Sequence, residues 1–255
     1  MIPKKVHYCW LSGDPFPDSI AQHMATWKAK LPDYEFILWD TTRFDLDSNI
    51  WVKQAFESKK YAFAADYIRL YAVYNFGGIY MDTDVEVVKS FDKLLDLPYF
   101  VGTEGEGIIE AGIFGAEKGT AWLKDCLSHY DGRAFAKSDG SLDILTLPRI
   151  MVSAIEKTRI ITELPEDEIF KVLSNDVSDK LYVFPKEAFC AKNHGTGVVT
   201  KTKHTYAVHH FAMSWMSKKE TFFPNLKRKL MAVFGVKFVS AIISIVKPGE
   251  SKRPK

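Results

Sequence analysis

Two aspartates, Asp82 and Asp84, follow the apolar run Ile79-Tyr80-Met81 with one residue between them. Alternate residues of an extended segment face the same side, so both carboxylates can serve one site. Bare, they repel, and each raises the other's pKa. A hard divalent cation such as Mn²⁺ or Mg²⁺ removes that conflict and accepts oxygen ligands. The plain alternative is a surface turn with two solvated acids. Upstream, Asp66 and Arg69 stand three apart among Ala64, Ala65, Ile68 and Leu70. On a helix such residues share a face. Their apolar neighbours imply burial, and buried charges need a partner or a ligand. An internal ion pair would satisfy that need without any ligand.

Alternating strands and helices must position these groups. Val6–Trp10 reads as a buried strand, Asp18–Leu31 as a helix stopped by Pro32, and Glu35–Trp39 as a second strand. Lys53–Phe76 reads as mostly helical, with Gly77-Gly78 as its stop. Ile79–Met81 is a third strand and Val85–Val88 continues extended. Phe100–Thr103 and Ile113–Gly115 are further strands, and Thr120–Tyr130 is a helix. The alternation predicts an α/β sheet with mostly parallel strands. Ligands of open α/β sheets bind at the carboxyl edge of the strands, which is where Asp82 and Asp84 fall.

The 255 residues are 47% hydrophobic and 26% charged, an ordinary globular composition with enough apolar content for a sizeable core. Cys9, Cys126 and Cys190 are odd in number and form no CxxC, so neither a disulfide framework nor a zinc knuckle is indicated. A reducing compartment is the simplest expectation. The first residues, MIPKKVHYCW, lack the apolar core of a signal peptide, which suggests a cytoplasmic protein. Gly102–Gly115 holds five glycines but no GxGxxG leading into a helix, and no GxxxxGK[ST] occurs. That run is either a turn between strands or a substrate loop. Residues 218–255 carry ten basic and two acidic side chains, +8, so the rest carries −6 of the overall +2. An acidic body with a basic tail suggests a negatively charged partner.

Ile2-Pro3-Lys4…His7…Trp10, then Asp66-x-x-Arg69, then Gly77-Gly78-Ile79-Tyr80-x-Asp82-x-Asp84 resembles the DXD-containing sugar transferases of glycosyltransferase family 32. These have the GT-A fold, with a mostly parallel sheet flanked by helices. They are related to capsule-synthesis transferases, yeast mannosyltransferases and clostridial glucosylating toxins. The resemblance covers roughly residues 1–217 and implies a catalytic domain there, with 218–255 as a helical tail. It implies that Trp10 stacks on a nucleotide base, that Asp66 and Arg69 bond the donor sugar, and that Asp82 contacts ribose or sugar while assisting a metal held directly by Asp84. The segment His209-His210-Phe211-Ala212-Met213-Ser214-Trp215 resembles the one that closes such a site with a third metal ligand. Imidazole favours Mn²⁺ over Mg²⁺. After the strand Tyr206–Val208, His210 is the expected ligand and His209 the alternative. Ser214 and Trp215 would bond the phosphates. Glu110 stands at or beside a position where relatives commonly carry Asn. It either alters acceptor choice or is a solvated loop acid.

The implied activity is metal-dependent transfer of a hexose, with retention, from a nucleotide-diphosphate sugar to a saccharide or lipid-linked saccharide. A uridine donor is expected, with guanosine as the alternative. Two rivals remain. Asp82-Thr83-Asp84-Val85 also fits four positions of the haloacid dehalogenase phosphatase motif, but Glu86 replaces its Thr or Val. A non-catalytic sugar- or membrane-binding relative is the other. No nucleic-acid-binding motif accompanies the basic tail. Residues 226–246 combine apolar residues with flanking lysines, which suggests a helix lying on the inner face of an anionic membrane. Packing on the body or dimerisation of the chain is the alternative.

Overall fold

The computed structural model describes residues 1–173, 179–193 and 196–212, together with residues 226, 230, 231, 235 and 239. The strands are β1 (Lys5–Cys9), β2 (Glu35–Trp39), β3 (Gly78–Met81), β4 (Val85–Val87), β5 (Tyr99–Gly105), β6 (Ile108–Ala116), β7 (Ile160–Glu163), β8 (Lys180–Val183) and β9 (Ala207–His209). The helices are α1 (Asp18–Lys30), α2 (Ile50–Glu57), α3 (Tyr61–Phe76), α4 (Ala121–Leu127), α5 (Leu147–Ile155), α6 (Glu166–Leu173) and α7 (Lys186–Phe189).

The chain forms two compact units, one of Met1–Ala191 with Lys201–His210, the other of Lys192–Thr200 with Phe211–Lys255. The first holds a five-stranded sheet in the order β2-β1-β3-β6-β5. β1 pairs in parallel with β2 and β3, while β6 pairs antiparallel with both β3 and β5. Four strands therefore point one way and β6 alone runs against them, which is the mostly parallel sheet expected. Alternation along β3 sends Ile79 and Met81 into one apolar core and Tyr80 into the other, so helices cover both faces. A two-stranded antiparallel ribbon, β4 with β9, follows directly on the Asp82–Asp84 segment.

Some expected elements differ. Lys53–Phe76 is two helices, because Lys59 takes a left-handed φ of 57° between α2 and α3. The glycine-rich run is an antiparallel hairpin turning at Gly105-Glu106-Gly107, and its strands extend well beyond those expected. α4 stops at Leu127 and a 3₁₀ turn, Ser128–Tyr130, completes the segment. At the end of α3, Gly77 and Gly78 have φ of 64° and 109°. A Cβ on Gly78 would lie 2.7 Å from the Lys5 carbonyl oxygen. Only glycine lets the helix end so abruptly against β1.

In the second unit, the Asn193 amide donates to the Val198 carbonyl, closing a short loop. Gly235 has a φ of 85°, outside helical geometry; of residues 226–246, where a helix is expected, all but 226, 230, 231, 235 and 239 lie outside the described residues. Among the described residues no helix is long and apolar enough to cross a membrane.

Candidate active site

α3 is buried nearly all round: Phe63, Ala64, Ala65, Ile68, Leu70, Ala72 and Val73 pack in the core, and Asp66 and Arg69 go in with them. The charges are tolerated because they are paired. Arg69 Nη2 lies 3.1 Å from Asp66 Oδ1, and Nη1 lies 3.2 Å from Asp82 Oδ2. Nη1 also donates to the Ala111 carbonyl at 2.8 Å, and the guanidinium sits 4.6 Å from the centre of the Tyr80 ring. The Tyr80 hydroxyl donates to Asp82 Oδ1 at 2.7 Å. Both oxygens of Asp82 are thus engaged, and Arg69 joins α3 to the end of β3. Burial pushes the Asp66 carboxyl up to about 6, against the pull of Arg69. Burial raises Asp82 as well, again opposed by Arg69.

The β4–β9 ribbon supplies the opposite wall. Val85 pairs with His209, and the His210 amide donates to the Asp84 carbonyl at 3.1 Å. Successive residues of a strand face opposite ways, so the two histidines part company. His209 turns inward: its Nε2 lies 3.4 Å from Asp84 Oδ1 and 3.9 Å from Asp82 Oδ2. One ligand atom each from Asp82, Asp84 and His209 falls within 4.8 Å of the others. His210 does not join them. Its Nε2 donates to Glu86 Oε2 at 3.0 Å, and its ring stacks on His23 at 4.1 Å. Among the described residues it is thus His209, not the expected His210, that stands with the two aspartates, because β9 runs one residue further than the sequence pattern suggested.

Glu110 is corrected too. It is wholly buried on β6, not solvated. Its Oε1 accepts the Gly112 amide at 2.6 Å and lies 2.9 Å from His209 Nδ1. Nothing in its local sequence signalled this, since the contact spans 99 residues. Burial alone would lower the His209 pKa, but the charges of Glu110 and Asp84 outweigh it and hold the imidazolium well above its ordinary range. Nearby, burial and the charge of Glu110 push the Glu104 carboxyl up to about 7.

Two carboxylates and one imidazole nitrogen suit a divalent cation of the Mn²⁺ kind. Trp10 lies just past β1, half-buried, with its indole N–H donating to the Asp14 carbonyl and its ring 4.7 Å from Phe16. Tyr8, Phe36, Leu38, Asp40, Thr42 and Arg43 line an open cavity of about 560 Å³ at the sheet edge formed by β1 and β2. His7, part of the N-terminal motif, is buried in the core, where its Nδ1 accepts the Trp39 indole N–H and its Nε2 meets the Gly77 carbonyl. Ser214 and Trp215 lie outside the described residues.

Asp66, Arg69, Asp82, Asp84 and His209 thus gather at one edge of the α/β sheet. Residues 17–101 match the family model described as a glycosyltransferase sugar-binding region containing DXD motif, and the stretch includes Asp66, Arg69, Asp82 and Asp84. The chain carries that region, in agreement with the resemblance. It is 28% identical over 138 residues to inositol phosphoceramide mannosyltransferase 3 of Schizosaccharomyces pombe, covering 52% of this chain and 38% of that protein. It is 30% identical over 142 residues to mannosyl phosphorylinositol ceramide synthase SUR1 of Saccharomyces cerevisiae, covering 51% of this chain and 36% of that protein. The chain thus spans less than two fifths of the length of either relative. Among solved structures, PaToxG glycosyltransferase aligns with a TM-score of 0.48 at 20% identity, over 61% of this chain and 69% of that one.

Proposed function

We propose that this protein transfers a hexose, with retention, from a nucleotide-diphosphate sugar to a hydroxyl of a saccharide or lipid-linked saccharide. The observation that carries the reading is the cluster of Asp82, Asp84 and His209 beside the Asp66–Arg69 pair. Asp84 and His209 are the proposed metal ligands, with Asp82 assisting. A divalent cation held there would neutralise the departing diphosphate as a Lewis acid. Arg69 keeps Asp66 and Asp82 oriented, and Asp66 faces the donor sugar. Trp10 stacks on the base, a contact worth ~1–3 kcal/mol. Ser214 and Trp215 bond the phosphates in this reading. No side chain is assigned as a nucleophile.

The phosphatase alternative fits less well. A nucleophilic aspartate needs an open oxygen, whereas Asp82 has one on Tyr80 and the other on Arg69. The basic tail, residues 218–255, attaches the enzyme to the inner face of an anionic membrane in the same reading, which gives a lipid-linked acceptor its purpose.

The test is a donor screen with Mn²⁺, reading released nucleotide. It covers uridine and guanosine diphosphate sugars, and includes mannosyl donors because both yeast relatives carry mannosyl names. One donor should turn over, and excess EDTA should silence it. Turnover of simple phosphate esters without nucleotide release would overturn the transferase reading. Full activity in EDTA would overturn the metal.

A further inference from the structure

Glu110 has no solvent-accessible surface, and the imidazole it meets is 11% exposed at the side chain. A carboxylate taken so far out of water is strongly destabilising unless a donor compensates it. The Gly112 amide and His209 Nδ1 both address Oε1, while Oε2 has no hydrogen-bond partner among the described residues. The imidazole is thereby strung between Glu110 on one side and Asp84 and Asp82 on the other, with its Nε2 toward the aspartates. The sheet makes room for this arrangement at one point. A Cβ on Gly112 would stand 2.6 Å from His209 Cε1, 2.7 Å from Nδ1 and 2.8 Å from Glu110 Oε1. Any other residue at 112 would push the ring away from either its carboxylate or the aspartates.

We propose that Glu110 is a positioning residue: by accepting the Nδ1 hydrogen of His209 it fixes the ring and its tautomer, so that Nε2 is the nitrogen offered to a divalent cation between Asp82 and Asp84. This rests on the reading of those three residues as the cation site. Glu110 itself does not touch the cation. The role needs both a hydrogen-bond acceptor and a negative charge, since the carboxylate also makes the opposite nitrogen a better donor to metal. Partners of this kind, one shell removed from the metal, typically change affinity by ~10–100-fold when replaced.

The experiment uses the full chain and two readouts. Free Mn²⁺ is followed by its paramagnetic resonance signal during titration of the wild type, Glu110→Gln and Asp84→Asn. Separately, the ¹⁵N shifts of His209, assigned by loss of its signals in His209→Gln, report the tautomer in the wild type loaded with Zn²⁺ as a diamagnetic stand-in. The expected result is Mn²⁺ binding that Asp84→Asn abolishes and that Glu110→Gln weakens by ~10-fold, with His209 protonated on Nδ1 in the loaded wild type. Unchanged affinity in Glu110→Gln while Asp84→Asn still abolishes binding would overturn the positioning role and leave the cation site standing. A hydrogen on Nε2 in the loaded wild type would overturn the positioning role together with His209 as a ligand, without reliance on any variant's folding. Absence of Mn²⁺ binding by the wild type would overturn the cation site and the inference together.

Discussion

His209 and His210 are adjacent in the chain and sit in different electrostatic worlds. His209 faces three carboxylates, Asp82, Asp84 and Glu110, the first of them paired with Arg69. His210 faces one, Glu86, whose other oxygen is already 2.6 Å from Lys201 Nζ. In that second ion pair Lys201 is exposed at 43% and Glu86 is half-buried at 25%. In the inward cluster Asp84 and Glu110 are buried, and Arg69 is fixed between Asp66 and Asp82. The outward cluster is balanced and in reach of solvent and salt. A histidine beside a carboxylate is present in both. What separates a candidate metal site from a surface ion pair is the burial of the carboxylates around the histidine, not the histidine.

The comparison is broken most severely by removing the cation on each side. Arg69→Met leaves the buried Asp66 and the half-buried Asp82 without their partner, and loss of one member of a buried pair typically destabilises by ~3–5 kcal/mol. Lys201→Met removes an exposed partner and should change stability by less than ~1 kcal/mol. Thermal or urea unfolding of both variants checks this; equal losses would mean that the two clusters do not differ as described.

On activity, Asp84→Ala should remove more than ~99% of transfer, since a lost metal contact forfeits several kcal/mol of charge stabilisation. The histidines sharpen the contrast further. His209→Ala should lower Mn²⁺ affinity and transfer by ~10–100-fold, the range of a site with a lost ligand or supporting contact. His210→Ala, which removes a bond to Glu86 and a stack on His23, should leave Mn²⁺ affinity within a few-fold of wild type. Donor turnover measured across a Mn²⁺ titration distinguishes them, and the reverse ranking would return the ligand role to His210.

Much of the site was legible because its parts are local. Asp66 and Arg69 share a helix turn, and Asp82 and Asp84 share a strand end, so periodicity alone places each pair. Gly77-Gly78 marked the junction between them. The choice between His209 and His210 was not legible, because it depends on where β9 ends and on its register with β4, a pairing across more than a hundred residues. Glu110 was hidden for a similar reason. Its role needs β6 to run antiparallel beside β3 and bring it under β9, and neither direction nor neighbour is encoded in the hairpin's own residues. The break at Lys59 was masked by helix-compatible residues on both sides; only the left-handed φ reveals it.

The smallest effect concerns Glu104, which shares the β5–β6 hairpin with Glu110. Burial, then the charge of Glu110, raise its carboxyl to about 7, opposed by His209. A raised carboxyl binds its proton more tightly in the folded chain than in the unfolded one. Between the unfolded value near ~4.5 and about 7, the folded state therefore holds a proton that the unfolded state has released, and stability falls as pH rises through that window. Above it the ionised carboxylate faces Glu110 at full repulsion. Glu104→Gln removes that repulsion and keeps the shape. Metal-stripped Glu104→Gln should be more stable than wild type at pH 8 by roughly 1–2 kcal/mol, a few degrees in Tm. The gain should shrink as pH falls and be gone well below the unfolded value near ~4.5, where the wild-type carboxyl is protonated in both states. Melting curves of both proteins in EDTA across that range give the answer. A pH-independent gain would mean the two carboxyls do not interact, and a loss at pH 8 would mean that Glu104 is held ionised by a partner stronger than Glu110's repulsion.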